Sequence, residues 1–322
     1  MSNVSIVIPN YNGMTYLENC LLSLEKQTYQ DFNVILVDNG STDGSKELVL
    51  ERFPNVTLLD LKVNTGFCKA VNEGIKASHS PYVILLNNDT TADREFVGEL
   101  VRSITHNKQL FSVGAKMLKM KEPNKIDDAG DYYCALGWAF AVGKGSNACK
   151  FTEEKAVFAA CGGAAIYRVS ILEEIGLFDE NHFAYLEDID IGYRAKIFGY
   201  QNFFTPKAQV YHAGSGFSGS RYNKFKISLS SKNSIYLIYK NMPLLQIILN
   251  VPFLFIGFLT KMIFFLLKGH FITYVSGLCK GITFCFTKEA RAHKVHFSVN
   301  KIGNYGKIQL ELWANIIHCI RG

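Results

Sequence analysis

Three short polar clusters hold side chains able to do chemistry: Pro9-Asn10-Tyr11-Asn12-Gly13, Asp38-Asn39-Gly40-Ser41-Thr42-Asp43 and Asn87-Asn88-Asp89. Each follows an apolar, β-rich run. Hard carboxylate oxygens suit Mg2+ or Mn2+ and can hold such an ion against a diphosphate, and Asp89 stands where a strand ends. Taken singly, Asn-Asn-Asp reads better as a turn after a strand, and the same holds for Asp38 and Asp43. Three such clusters at three strand ends are harder to assign to turns alone. A fourth acidic group, Glu187, Asp188 and Asp190, opens a segment of helical period, where carboxylates also complement the helix dipole. No GxGxxG follows the first strand, and no GxxxxGK[ST] or GxSxG occurs anywhere. A dinucleotide dehydrogenase, a P-loop enzyme and a serine hydrolase of the nucleophile-elbow type are therefore unsupported.

The elements that must position these clusters alternate in period. Residues 4–8, 34–37, 56–59 and 82–86 read as strands, and 16–25, 45–52, 66–77 and 94–106 as helices. That alternation is the signature of βαβ units and a mostly parallel sheet, whose ligands gather at the carboxyl ends of the strands. Residues 111–160 are mixed and Gly-rich and read as an irregular or β-hairpin insertion over the site. Order returns with the apolar run CGGAAIY and a helix near 169–175. The stretch EDIDIGYRAKIFGY then spaces Ile189, Tyr193 and Ile197 one helical turn apart and ends near Gly199.

With 322 residues, 48% hydrophobic and only 19% charged, the chain can bury a sizeable core and is not disordered. The net charge of +6 conceals an asymmetry. Residues 1–220 carry 20 Lys and Arg against 26 Asp and Glu, a net of −6, whereas residues 221–322 carry 14 against 2, a net of +12. The chain therefore divides into a domain over 1–220 and a basic, apolar helical region over 221–322. Such a basic block beside runs such as FLFIGFLT fits an anionic lipid surface, not nucleic acid.

Within the run 244–267, Gln246, Asn250, Gly257, Thr260 and Lys261, with Lys268 beyond it, share an arc of about 100° at roughly 100° per residue. The opposite face is apolar, as in a helix lying in or shallowly inserted into a membrane; a core helix with a polar edge is the alternative. Pro252 is expected to kink either version. The eight cysteines show no CxxC or metal-ligand spacing and read as reduced thiols. The start, MSNVSIVIPNYNG, lacks a basic n-region and reads as a buried strand, which places the chain in the cytoplasm.

Together SIVIPNYNG, VILVDNGSTDGS, NTGFCKAVNEGI, VILLNNDT and GGAAIYRVSILEEIGLFDENHFAYLEDIDIGYRAKIFGY resemble the inverting family 2 glycosyltransferases of the GT-A fold. The likeness is to bacterial rhamnosyltransferases and related O-antigen or capsule enzymes in particular. It covers about residues 3–215, in order, with five motifs. It implies an α/β fold whose mostly parallel sheet is flanked by helices, followed by the membrane-associating helical region.

The resemblance also implies roles. Pro9 and Tyr11 correspond to base-stacking and loop positions, and Asp38 to the carboxylate that hydrogen-bonds a pyrimidine ring. Asn39, Ser41 and Asp43 complete that turn. Asn72 and Asn88 join the nucleotide-binding set. Asp89 ends the metal-binding motif, here Asn-Asn-Asp, so the first carboxylate of the usual Asp-x-Asp is missing. His212 matches a metal ligand of some relatives, with Mg2+ or Mn2+ as the implied ion. Asp188 is the implied general base, since inversion needs one base on the acceptor side. Glu187 and Asp190 position the acceptor or the base's helix, and Gly162 and Gly163 allow close backbone approach to the sugar.

The implied donor is a nucleotide sugar, dTDP-rhamnose or a UDP-sugar. The implied acceptor is a lipid-linked saccharide at the cytoplasmic face of the bacterial inner membrane. Arg194 reads as a structural partner of Asp190, while Tyr133 and Trp138 fit sugar stacking or core packing equally. Two rivals are a catalytically silent membrane scaffold and a nucleotidyltransferase. The latter would carry a basic Gly-rich loop where this chain has PNYNG.

Overall fold

The computed structural model describes residues 2–214 and 223–321, so the expected boundary after residue 220 lies outside the described residues. The first half runs β1 (Val4–Asn10), α1 (Met14–Glu25), β2 (Phe32–Asp38), α2 (Ser45–Arg52), β3 (Val56–Asp60), α3 (Phe67–Ala77), β4 (Tyr82–Leu86), β5 (Thr90–Ala92) and α4 (Phe96–His106). β1 to β4 form a parallel sheet in the order β3-β2-β1-β4. The chain order reverses between β1 and β4, the switch point where a sheet of this kind leaves a crevice at the strands' carboxyl ends. Register sets Asn10 opposite Asp38, and Asp38 opposite Asp60.

Both sheet faces are covered, and alternation along each strand splits the core in two. Val4, Ile6 and Ile8 pack with Leu17 and Leu21 of α1 and with Phe96 and Leu100 of α4. Val7, Ile35 and Val37 point the other way, onto Val71 and Ile75 of α3.

The chain continues with β6 (Leu110–Lys119), β7 (Glu122–Asp128), β8 (Asp131–Cys134), β9 (Trp138–Ala141), β10 (Lys155–Val157), β11 (Ala164–Arg168), α5 (Val169–Ile175), α6 (Glu187–Ile197) and β12 (Gln201–His212). The expected insertion over 111–160 is corrected here at its start. Residues 110–119 form a central strand, between β11 and β12 and buried along nine of its ten positions. Its polar residues obscured it, yet they are satisfied inside: the Ser112 hydroxyl donates to Asn202 Oδ1 at 2.8 Å and Lys116 Nζ to the Phe151 carbonyl at 3.1 Å. β11 runs antiparallel to both β4 and β6, whereas β12 runs parallel to β6. Among the described residues, only β8 and β9 form a sheet apart from this one, a two-stranded hairpin.

The C-terminal helices are α7 (Lys224–Asn241), α8 (Leu244–Leu267), α9 (Phe271–Cys285), α10 (Lys288–Ala292) and α11 (Ile302–Arg321). α9 packs on α7 where Gly277 and Gly281 bring the backbones close; a side chain at either would meet Ser228 or Lys232 backbone. α8 is the one helix among the described residues long and apolar enough to cross a membrane, and it continues through Pro252. It is not a core helix, since only 17% of its most apolar window is buried. Its polar stripe faces the protein: Gln246 accepts from the Tyr193 hydroxyl at 2.7 Å, and Asn250 exchanges hydrogen bonds with Gln309 of α11.

Candidate active site

Asn10, the last residue of β1, ties the strand-end loops together. Its buried amide nitrogen donates to Asp38 Oδ1 at 3.0 Å, Ser41 Oγ at 3.1 Å and Ser45 Oγ at 2.9 Å. Its Oδ1 accepts from Asn88 Nδ2 at 2.7 Å. Gly13 must lack a side chain, because a Cβ there would collide with Asn88 and Asn10. Asp38 is wholly buried, and its second oxygen accepts from the backbone of Gly40 and Ser41, which shapes the turn. Asn39 lies under the next loop: its Oδ1 accepts from the Thr65 amide at 2.8 Å, and its Nδ2 donates to the Gly66 carbonyl at 3.1 Å. Asp43 joins two helix starts by accepting from Met14 and Ser45. Burial opposes its ionisation, but these hydrogen bonds hold its carboxyl below the usual range. Pro9 and Tyr11 are half-buried beside the crevice.

Asp89, after β4, meets the end of β12. His212 Nε2 lies 3.1 Å from Asp89 Oδ1, and His212 Nδ1 lies 2.7 Å from Asp127 Oδ2, which Lys144 approaches to 3.0 Å through Asp127 Oδ1. Burial alone would lower the imidazole's affinity for a proton, yet the two carboxylates push its pKa up to about 9. A histidine fixed on one nitrogen by a carboxylate, with the other turned to a second carboxylate, is the arrangement of a divalent-ion site with its outer support. The donor set thus fits a divalent cation on Asp89 and His212, with Asp127 behind the histidine.

Asp188 opens α6 and is half-buried. The Gly162 amide donates to its Oδ1 at 3.0 Å, and any side chain at Gly162 would strike that oxygen. Burial, and then the neighbouring Glu187, push the Asp188 carboxyl well above the usual range. Burial, with a smaller push from the Asp190 carboxylate, raises Glu187 to about 7. Asp131 and Asp128 add two more acids. Burial raises both, Asp131 to about 8 with help from Asp188 and Glu187. Asp128, Asp131 and Cys161 bring one ligand atom each within 4.8 Å of one another. Buried together, these acids raise one another's proton affinity on the Asp188 side of the site.

The loop before Asp188 is strained. Phe183, Tyr185 and Leu186 take φ of 62°, 69° and 69°, the left-handed region that ordinary residues avoid. A residue far along the chain holds it there: Asn233 of α7, fully buried, donates from Nδ2 to the carbonyls of His182, Ala184 and Tyr185 at 2.9, 2.9 and 2.8 Å. Lys240 Nζ, also of α7, lies 2.8 Å from Asp190 Oδ2 and 2.7 Å from Asp179 Oδ2. Asn241 donates to Asp190 Oδ1 at 2.8 Å. Burial would favour the neutral acid, but Lys240 and Arg194 hold Asp190 far below the usual carboxylate range.

Most residues singled out in the sequence gather at two adjoining patches: Asn39, Ser41, Asp43, Asn88 and Asp89 at the strand ends, and Gly163, Glu187 and Asp188 beside β11. The Gly163 carbonyl accepts from the Asn87 amide at 2.9 Å, which joins the patches. Asn72 lies apart from them. Its amide is bonded to Phe178 and Glu180, and it clamps α3 to the 178–180 loop. Arg194 is the structural partner expected, bonded to Asp190 and to the carbonyls of residues 175–177. Tyr133 is core, against Phe158 and Tyr193, and Trp138 donates to the Gly257 carbonyl at 3.1 Å. Sequence reasoning missed the linking role of Asn10, and it missed Asp127, Asn233 and Lys240. Asn10 was signalled by its place at a strand end, whereas Asn233 and Lys240 sit in a region whose basic, apolar composition hid them.

The family model described as Glycosyl transferase family 2 matches residues 5–176. Over 230 residues, 64% of this chain and 75% of the relative, the sequence is 27% identical to an N-acetylglucosaminyl-diphospho-decaprenol L-rhamnosyltransferase of Mycobacterium tuberculosis. Among solved structures, the chain is similar to GalNAc-T7 with UDP, GalNAc and Mn2+, at a TM-score of 0.61 and 18% identity over 74% of this chain and 48% of that one. It is also similar to the mannosyltransferase PcManGT from Pyrobaculum calidifontis in complex with GDP-Man and Mn2+, at a TM-score of 0.57 and 15% identity over 97% of this chain and 85% of that one. These likenesses establish a GT-A fold.

Proposed function

Because the chain belongs to glycosyl transferase family 2, we propose that it moves a sugar, with inversion, from a nucleoside diphosphate to a lipid-linked saccharide in cell-surface polysaccharide synthesis. The donor is dTDP-rhamnose or a UDP-sugar, and the site of action is the cytoplasmic face of the bacterial inner membrane. The rhamnosyl relative, named for a diphospho-decaprenol acceptor, supports the donor and acceptor classes. The apolar outer face of α8 and the basic C-terminal block support a lipid surface.

Asp188 is the base in this reading. Its carboxylate takes the proton of the acceptor hydroxyl as that oxygen bonds to the anomeric carbon, and the bond to the nucleoside diphosphate breaks on the opposite face. The amide of Gly162 orients the carboxylate, and burial, then the neighbouring Glu187, raises its affinity for the proton it takes. Glu187 and Asp190 hold its helix, and Gly163 leaves room for the sugar. The strand-end loops receive the nucleotide: Pro9 and Tyr11 flank the base, while Asp38, Asn39, Ser41, Asp43 and Asn88 hold the loops in register. Asn72, on α3, acts only indirectly, by holding that helix to the 178–180 loop. Asp89 and His212 would hold a divalent cation, Mg2+ or Mn2+, whose charge would stabilise the departing diphosphate.

The observation that carries the reading is the half-buried, proton-affine Asp188 fixed by Gly162 beside the strand-end crevice. Asp188→Asn is the test. Transfer from a radiolabelled donor should fall on the order of 10²- to 10⁴-fold in kcat, while calorimetric binding of the donor's nucleotide with Mn2+ stays unchanged. Equal turnover would overturn the assignment. Calorimetry with dTDP, UDP, GDP and CMP, each with Mn2+, Mg2+ or EDTA, then narrows the donor.

A further inference from the structure

We infer that α8 does not cross the membrane but lies along a single leaflet, its outer stripe sunk among the lipid chains and its polar stripe fastened to the catalytic body. This deepens the membrane reading above and rests on it. By length and composition α8 could span a bilayer. Its contacts say otherwise.

Gln246 is bonded to Tyr193 of α6, and Asn250 to Gln309 and Trp313 of α11. Gly257 presses on the Leu136 carbonyl so closely that no side chain fits, and its own carbonyl accepts from Trp138. Lys261 lies over the Trp138 ring, 5.5 Å from its centre. From residue 246 to 261 the helix rises about 22 Å, and over that length it is anchored to polar, folded protein. A helix crossing the hydrocarbon would have to drag this body in or break every one of these contacts, and each freed polar group would then be left in hydrocarbon.

The other side of α8 is apolar and uncovered. Leu245, Ile248, Ile256, Leu259, Ile263 and Leu267 are between 41% and 81% exposed. At about 100° per residue they share one arc, opposite Gln246, Asn250, Gly257 and Lys261. The polarity is thus inverted relative to an ordinary surface helix, whose apolar side faces the core. The occupant is an anionic phospholipid leaflet. The region that carries α8 has 14 Lys and Arg against 2 acidic residues, a charge that attracts such a surface and opposes pairing with a second copy of the same basic region. An in-plane helix sinks about 5–10 Å, deep enough for these side chains and too shallow to reach the far leaflet.

The experiment uses the full chain and sealed vesicles of phosphatidylglycerol and phosphatidylcholine without any glycosyl acceptor. The protein carries a different epitope at each end, and a triple variant Ile248→Glu, Ile256→Glu, Ile263→Glu is compared with it. All three positions are already exposed, so the variant should fold and bind nucleotide as before, checked by calorimetry. The chain should float with anionic vesicles and less with pure phosphatidylcholine. Protease added outside should remove both epitopes. The triple variant should lose on the order of a hundredfold or more in partitioning, since each buried isoleucine is worth roughly tenfold. Protection of one epitope would overturn the inference in favour of a span. So would undiminished flotation of the folded variant, or a soluble wild-type dimer that ignores vesicles and that the triple variant dissociates. Transfer to a short, water-soluble acceptor is measured separately. Activity there without vesicle binding would leave the enzyme reading standing and remove only the docking.

Discussion

If Asp188 is the base proposed above, replacing Asn233 with Ala should disable it without touching it. The side chain is fully buried, and its two amide hydrogens are divided among three carbonyls of the loop at 182–185. Two hydrogens amount to two good hydrogen bonds, one of them shared. At about 1 kcal/mol net for each bond, plus about 1–3 kcal/mol for carbonyls left dry and unpaired, the loss is about 3–5 kcal/mol. That is comparable to what the loop stores, since left-handed residues cost roughly 1–3 kcal/mol each and Phe183, Tyr185 and Leu186 are all of that kind. Without the amide the loop relaxes, and Asp188, two residues past Leu186, moves. A displacement of about 1 Å from the productive geometry costs on the order of 10²-fold in rate, so kcat should fall 10- to 100-fold while the KM for the donor changes little. The assay pairs urea unfolding, which reads the stability change, with steady-state transfer kinetics. Asn233→Asp sharpens it: the size is kept, both donors are lost, and a carboxylate is set against three carbonyls, so the loss should exceed that of the alanine. If kcat stayed within twofold in either variant while the protein remained folded, the loop would hold its shape without Asn233 and the reasoning would fail.

Asp127→Asn keeps the size of the group behind His212 but weakens its hold on the imidazole; half-maximal Mn2+ for nucleotide binding should rise about 10- to 100-fold, and an unchanged titration would mean that His212 is not a ligand. Asp131 has its carboxyl pushed up to about 8, so its contribution to stability is full below the unfolded value near pH 4 and is lost as pH rises through 8. Asp131→Asn should therefore stabilise the fold more at pH 8 than at pH 5, by roughly 3–4 kcal/mol, and equal gains at both pH values in urea titrations would contradict the assignment. Lys240→Met leaves Asp179 and Asp190 facing each other with their shared cation removed, and should cost about 3–5 kcal/mol at pH 7. Because Asp190 is depressed in the fold, that stability lies above the unfolded carboxylate range and declines as pH falls through the folded value. A midpoint in urea unmoved at pH 7 would show the pair to be dispensable.

The parallel half of the sheet was legible in the sequence because its physics is local. Runs such as VSIVIPN and FNVILVD are buried on both faces and therefore read as unbroken apolar stretches, and helices of period 3.6 separate them. The strand ends followed, and with them Asp38, Asp43 and Asp89. What escaped was non-local. Strand β6 looks mixed because Ser112 and Lys116 find their partners only once β12 and the 148–151 turn have folded over them. Asp127 carries no motif; its meaning lies in a histidine 85 residues later.

The division of the chain at residue 220 illustrates the same limit. By charge and hydropathy the last hundred residues are a separate, lipid-seeking appendage, and the outer face of α8 fits that description. Yet Asn233, Lys240 and Asn241, from the first helix of that region, make the contacts that hold the loop before Asp188 and neutralise Asp190 after it. Composition averages over a helix, whereas positioning depends on three side chains of it. α7 therefore has two neighbours of opposite character, the loop and helix around Asp188 on one side and the apolar helix α9 on the other. The packing of α9 on α7 is close enough to need Gly277 and Gly281, so α7 links the loop before Asp188 to the apolar C-terminal helix α9.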